Sequence, residues 1–211
     1  LDETTIAGLT VGMAAMGMKP VAEAQFDGFV YPMVDHVISH AARLRYRTRG
    51  RLHCPMVLRV PWGGGIRAPE HHSEANESLF TNVPGLRVVM PSSPQRAYGL
   101  LLAAIRDPDP VIYYEPKRIY RQYKEVVVDD GEALPLDTSF IEREGEHITL
   151  VSWGAMMHDT RVAADDPAMQ VVNDIKKLGS DAAPNYDSVS DFAGAERIIK
   201  SAVDTFGRID I

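Results

Sequence analysis

Cys54-Pro55-Met56-Val57-Leu58-Arg59-Val60-Pro61-Trp62-Gly63-Gly64-Gly65 is the stretch whose reading decides the fold. Met56–Val60 is a short apolar run, too short for a helix of ordinary length and closed by a proline and three glycines. Such a run bounded by turn residues reads as a strand buried on both faces, the kind found in parallel sheets. The same pattern recurs on both sides. Lys19–Ala24 precedes it, while Leu86–Met90 and Val111–Tyr114 follow, each ending at a proline. Ile148–Ser152, ending at Gly154, reads as a fifth strand.

Helical patterns lie between these runs. Residues 4–18 are apolar and studded with Ala7, Gly8, Gly12, Ala14, Ala15 and Gly17, small enough to let another helix approach, with Thr4 or Thr5 as candidate cap. Val34, Val37, Ile38, Ala41, Ala42 and Leu44 recur at helical spacing, ahead of the basic run Arg43–Arg51. Ala97–Ile105 is introduced by Ser93-Pro94, where proline suits the first turn. Residues 124–146 are acidic and irregular, as an exposed segment would be. Strands alternating with helices predict an α/β layer fold: a parallel sheet with helices on both faces. Ligands of such sheets sit at the carboxyl ends of the strands, here the loops after Ala24, Val60 and Met90.

The pattern changes at Asp165-Asp166-Pro167, which divides the chain into 1–165 and 166–211. Beyond it Gln170–Asn173 and Gly179–Tyr186 are strand candidates. Phe192–Phe206 is an amphipathic helix with Gly207 as its stop, and Arg208–Ile211 looks like the opening of a strand. The first residues carry no initiator Met and no leader pattern, so Leu1 reads as a point inside a longer chain.

Bulk properties narrow the function classes. The 211 residues carry a net charge of −7, the wrong sign for gripping nucleic-acid phosphates. No apolar run is long enough to span a membrane. Cys54 is the only cysteine, which excludes an internal disulfide and fits a reducing, cytoplasmic setting.

Three places could carry chemistry. Glu3 precedes the small-residue helix, where a carboxylate ordinarily just meets the helix dipole. Glu23–Tyr31 puts aromatic and polar groups after a strand, as any rim of core does. Pro61–Glu74 holds three glycines and His71-His72. Adjacent histidines diverge on a helix and the H-E-x-x-H spacing is absent, so a zinc site is disfavoured. A single histidine in a glycine-rich loop suits proton transfer, or is simply a polar loop residue.

Read together, several blocks resemble a known family. They are Leu1-Asp2-Glu3-x-x-Ile6-x-Gly8, Glu23-Ala24-Gln25-Phe26, Arg45-Tyr46-Arg47, Arg59-x-Pro61-Trp62-Gly63, His72-Ser73-Glu74, Pro84-Gly85-Leu86-x-Val88-Val89-x-Pro91 and Glu115-Pro116-Lys117-Arg118-x-Tyr120-Arg121. In this order and spacing, from Leu1 to about Asp165, they resemble the β subunit of 2-oxo acid dehydrogenase E1 components, the pyruvate and branched-chain enzymes. The resemblance implies a pyrimidine-binding domain for thiamine diphosphate, with Glu3 as the activating glutamate on the aminopyrimidine nitrogen. That contact promotes the imino tautomer, which takes the proton from the thiazolium carbon. His72 falls on the histidine that faces substrate and lipoyl group. Phe29 falls on the residue stacked against the pyrimidine, with Gln25 as a neighbouring polar contact. The region around Cys54, Met56 and Val57, with Ala104, Asp107 and Asp109, matches a structural potassium site of some relatives.

The resemblance also implies partners: an E1 α subunit carrying the diphosphate and Mg2+, a second β subunit in an α2β2 assembly, and a lipoyl-bearing E2. The family continues into a second domain after a segment like Val151-Ser152-Trp153-Gly154. Here, instead, Val171-Val172-Asn173-Asp174, Asn185-Tyr186-Asp187-Ser188-Val189 and Asp204–Ile211 resemble a short-chain dehydrogenase/reductase fragment, Rossmann-like in type. Its glycine-rich phosphate turn and its Tyr-x-x-x-Lys pair are absent, so hydride transfer is not expected. The alternative to an enzyme subunit is a non-catalytic composite or interaction module carrying that inactive fragment.

Overall fold

The computed structural model describes residues 2–122, 124–144, 149–165, 174–177 and 192–207. The chain forms two compact units, Leu1–Met157 and His158–Ile211. The first is built on a four-stranded parallel sheet of order β1-β2-β4-β3, with β1 Val21–Glu23, β2 Val57–Trp62, β3 Arg87–Val89 and β4 Val111–Pro116. The short apolar runs are the strands, and β2 and β4 lie at the centre in register from Val57↔Val111 to Trp62↔Pro116.

Alternation along these two strands builds two cores. Leu58, Val60, Ile112 and Tyr114 pack with Ala7, Ala14, Val30, Met33 and Val37 on one face. Val57, Val111 and Tyr113 pack with Val89, Leu100 and Ala104 on the other. Helix α1 (Glu3–Ala15) thus covers one face and α4 (Pro94–Arg106) the other, the expected two-sided layer. The short helices α2 (Leu44–Arg47) and α3 (Ser78–Thr81) lie in the connections.

Several details differ from the sequence reading. Asp2, not Thr4 or Thr5, caps α1, accepting from the Thr5 amide at 2.7 Å, and Gly17 in the left-handed region (φ +89°) ends the helix before residue 18. Residues 36–41 form a π-helical turn, in which the Ala42 amide reaches back to the Val37 carbonyl (3.0 Å). Pro61 does not close β2. The neighbouring β1 ends at the Glu23↔Arg59 pair, so position 61 has no partner on that side to which it must donate.

The described part of Ile148–Ser152 is not a strand, and Leu150 and Val151 are exposed. An apolar run becomes a strand only where a ladder receives it, and the described residues of this run pair with no edge of the sheet. Residues 124–144 are irregular, as read, although Leu134 lies over Gly99 and donates its amide to the Gly99 carbonyl (3.0 Å).

In the second unit the helix Phe192–Phe206 is present, closed by Gly207 (φ +78°). The candidate strands Gln170–Asn173 and Gly179–Tyr186, the segment Asn185–Val189 and the segment 208–211 lie outside the described residues.

Candidate active site at the carboxyl ends of β1 and β2

The chain leaving β1 turns immediately into a 3-10 segment, Asp27–Met33. The chain leaving β2 runs through the glycine loop 63–76. A backbone bond joins the two, the Gly28 amide donating to the His71 carbonyl (3.0 Å), and a second closes the glycine loop on itself, from the Gly63 amide to the Glu74 carbonyl (2.8 Å). His71 sits at φ +63° and Arg67 at φ +57°, unusual for residues with a Cβ, so the surrounding bonds hold this loop in a conformation it would not choose alone.

The loop delivers His72 against aromatic rings. Its ring centroid lies 3.9 Å from that of Phe26 and 6.4 Å from that of Phe29, and the two phenylalanines meet edge to face at 5.7 Å. His72 Nδ1 is 3.0 Å from the Glu70 carbonyl. A carbonyl only accepts, so Nδ1 carries a proton, and in the neutral form of the ring Nε2 is the acceptor. His71 turns elsewhere: its amide donates to Glu74, whose other carboxylate oxygen accepts from the Tyr31 hydroxyl. That contact raises the pKa of Tyr31 above the usual phenol value.

Glu3 opens α1, half-buried and with no side-chain hydrogen bond or ion pair among the described residues. Its helix is tied to the Phe29 segment by the Thr4 hydroxyl, which donates to the Pro32 carbonyl (3.2 Å). Gln25 is exposed between β1 and Phe26. The structure therefore brings Phe29 and His72 into one cluster and packs the Glu3 helix against the turn bearing Phe29. The loop after Met90 runs instead into α4, capped by Ser93 (3.4 Å from the Arg96 amide).

A family profile described as "Transketolase, pyrimidine binding domain" matches residues 1–122. The chain belongs to that family. The pyruvate dehydrogenase E1 component subunit beta of Acholeplasma laidlawii is 52% identical over 163 residues, 77% of this chain and 50% of the relative. The 2-oxoisovalerate dehydrogenase subunit beta of Bacillus subtilis is 46% identical over 165 residues, 78% of this chain and 50% of the relative. The chain thus spans about half the length of these curated relatives. Among solved structures, a split gene transketolase described as an inactive beta4 tetramer matches with a TM-score of 0.59 at 17% identity, over 86% of this chain and 52% of that one. That likeness concerns the fold.

Within this transketolase-type domain, several of the groups read as a potassium site have protein partners. The Asp109 carboxylate meets Arg45 at 2.5 Å and the Asp107 carboxylate meets Arg87 at 3.1 Å. The Cys54 and Met56 carbonyls accept from the Met56 and Val111 amides at 2.8 and 3.0 Å. Ala104 is different, because Pro108 has no N–H to return to its carbonyl in the helical manner. Among the described residues, no group of three or more His, Cys, Asp or Glu side chains could hold a metal ion.

Sequence reasoning missed a buried network behind the aromatic cluster. Asp27 and Lys117 form an ion pair at 2.8 Å, with side chains 0% and 4% exposed. Asn76 donates to the Asp27 carbonyl (2.8 Å) and accepts from the Tyr114 hydroxyl (2.8 Å). The only available signal was a lysine following directly on a buried strand.

Proposed function

We propose that this chain supplies the pyrimidine-binding half of a thiamine-diphosphate site in a 2-oxo acid dehydrogenase E1 component. Its substrate would be pyruvate or a branched-chain 2-oxo acid, and it would act in the cytoplasm. The observation that carries this reading is Glu3. It is half-buried, leaves its acceptors unused among the described residues, and stands at the head of a helix packed on the Phe29 turn. A carboxyl group so placed suits a ring nitrogen that must gain and lose a proton. Phe29 offers a stacking face, and Gln25, one residue before Phe26, an exposed amide. Bound thiamine diphosphate would supply the carbanion centre that the protein alone lacks. His72, steered by Phe26 and the Glu70 carbonyl, holds Nε2 ready to take up a proton and, once protonated, to stabilise a carboxylate.

Partners follow from what one chain leaves open. A family α subunit would hold the diphosphate and Mg2+, with two copies of each chain in the assembly and a lipoyl-bearing E2 as acyl acceptor. Helix α1 supports assembly, since it is largely apolar yet exposes Leu9 (57%), and Met16 directly after it is exposed as well (82%). A potassium ion, if used, would rest on carbonyls such as that of Ala104, because the Asp107 and Asp109 carboxylates are engaged by arginines.

Reconstitution with a family α subunit tests the reading. Thiamine-diphosphate-dependent decarboxylation is expected, and Glu3→Gln should lower it by about 100-fold or more. Full activity in that variant removes Glu3 from the chemistry and the proposal with it.

A further inference from the structure

The Asp27–Lys117 pair is an unusual thing to bury. Two charges withdrawn from water cost more than an apolar pair of similar volume, so stability alone is a poor reason to keep them. What the pair does geometrically is specific. Lys117 follows the end of β4, and Asp27 opens the turn after β1, 90 residues away in sequence. Asp27 is the neighbour of Phe26. Its backbone carbonyl is held by Asn76, which closes the glycine loop four positions after His72, and Asn76 is held in turn by Tyr114 on β4. Both segments that meet in the His72–Phe26 contact are therefore pinned to one strand end. Asp27 is bound through one oxygen alone, since its Oδ1 is buried without a hydrogen-bond partner. Among the described residues, the hold on the Asp27 carboxylate thus falls to Lys117, beside the Asn76 and Gly28 bonds to the backbone of the turn.

We propose that Lys117 and Asp27 are positioning residues, which set the stacking of His72 on Phe26 by anchoring both loops to the end of β4. The use of His72 in catalysis rests on the function proposed above, but the stacking is measured without it. In the isotope-labelled full-length chain, the His72 Cε1–H resonance carries a ring-current displacement from Phe26, and Phe26→Leu gives its unstacked position. Lys117→Met should move the resonance most of the way to that position. Asp27→Asn combined with Lys117→Met buries no lone charge and should move it as far, while near-ultraviolet circular dichroism stays native. Lys117→Arg, which keeps the charge but changes its reach, should move it part of the way. A parental resonance in Lys117→Arg, and in whichever of the other variants folds, would make the pair a structural feature only and overturn the proposal. Loss of activity in Glu3→Gln alongside an unmoved His72 signal would sink this inference and leave the functional reading intact. A moved signal in a chain without thiamine-dependent activity would do the reverse.

Discussion

Gly28 and His71 are in backbone contact so close that a Cβ built on Gly28 would lie 2.5 Å from the His71 Cα. The glycine is what allows the Gly28 amide to reach the His71 carbonyl, and that bond holds the glycine loop on the Phe26 turn. Gly28→Ala should push the loop away. We expect a loss of about 1–3 kcal/mol in urea unfolding, with faster hydrogen exchange at the Gly28 amide. An unchanged midpoint would mean that the loop yields freely.

Gly85 presents a harder case. It sits at φ +93°, and a Cβ there would fall 2.1 Å from the Ala42 carbonyl oxygen, at the end of the π-helical turn. Backbone strain and overlap with main-chain atoms act together, so Gly85→Ala should cost about 3 kcal/mol. Thermal unfolding checks this, and a shift within error would count against so tight an approach.

Cys54 gives a pH-dependent prediction. Burial, with a smaller contribution from Asp109, pushes its thiol from 9.0 to about 11. The folded chain therefore holds this proton more tightly than the unfolded one. That stabilisation is complete below pH 9 and disappears as pH rises towards 11, a loss of about 3 kcal/mol. Cys54→Ala should flatten this part of the stability–pH curve, and the native thiol should resist alkylation at pH 8. Rapid modification of the folded protein would refute the burial argument.

Arg59 links two strands, meeting Glu115 at 2.7 Å and Glu23 at 3.3 Å, while the Tyr120 hydroxyl donates to the other Glu115 oxygen at 3.0 Å. Arg59→Met should cost about 1–3 kcal/mol by leaving Glu115 half-buried with one partner. The loss should shrink in the Arg59→Met/Glu115→Gln double variant, which a thermodynamic cycle measures. Strict additivity would mean that the pair is not coupled.

The layer fold was legible because β2 and β4 are short apolar runs between turn residues, and burial on both faces leaves that trace in composition. The π-helical turn at 36–41 was not, since one extra residue in a turn barely disturbs an apolar pattern. Asp2 was overlooked as the cap of α1 because Thr4 and Thr5 compete for that role in the sequence. Ile148–Ser152 shows the opposite failure: its composition suits a strand, but pairing depends on neighbours that composition does not encode. At the site, Phe29 and His72 were reached through the family resemblance and do come together. The Asp27–Lys117 pair left one faint trace, a lysine directly after a buried strand, which does not say which acid it will be buried against.

The strand order has a consequence for how the protein is made. β3 pairs only with β4, and β2 is complete only when β4 lies beside it. During translation β1, β2 and β3 all emerge before β4, so half of the sheet waits on a strand still inside the ribosome. Until Val111–Pro116 is released, the nascent chain must carry Val57–Trp62 and Arg87–Val89 with open edges, a state exposed to chaperones and to aggregation.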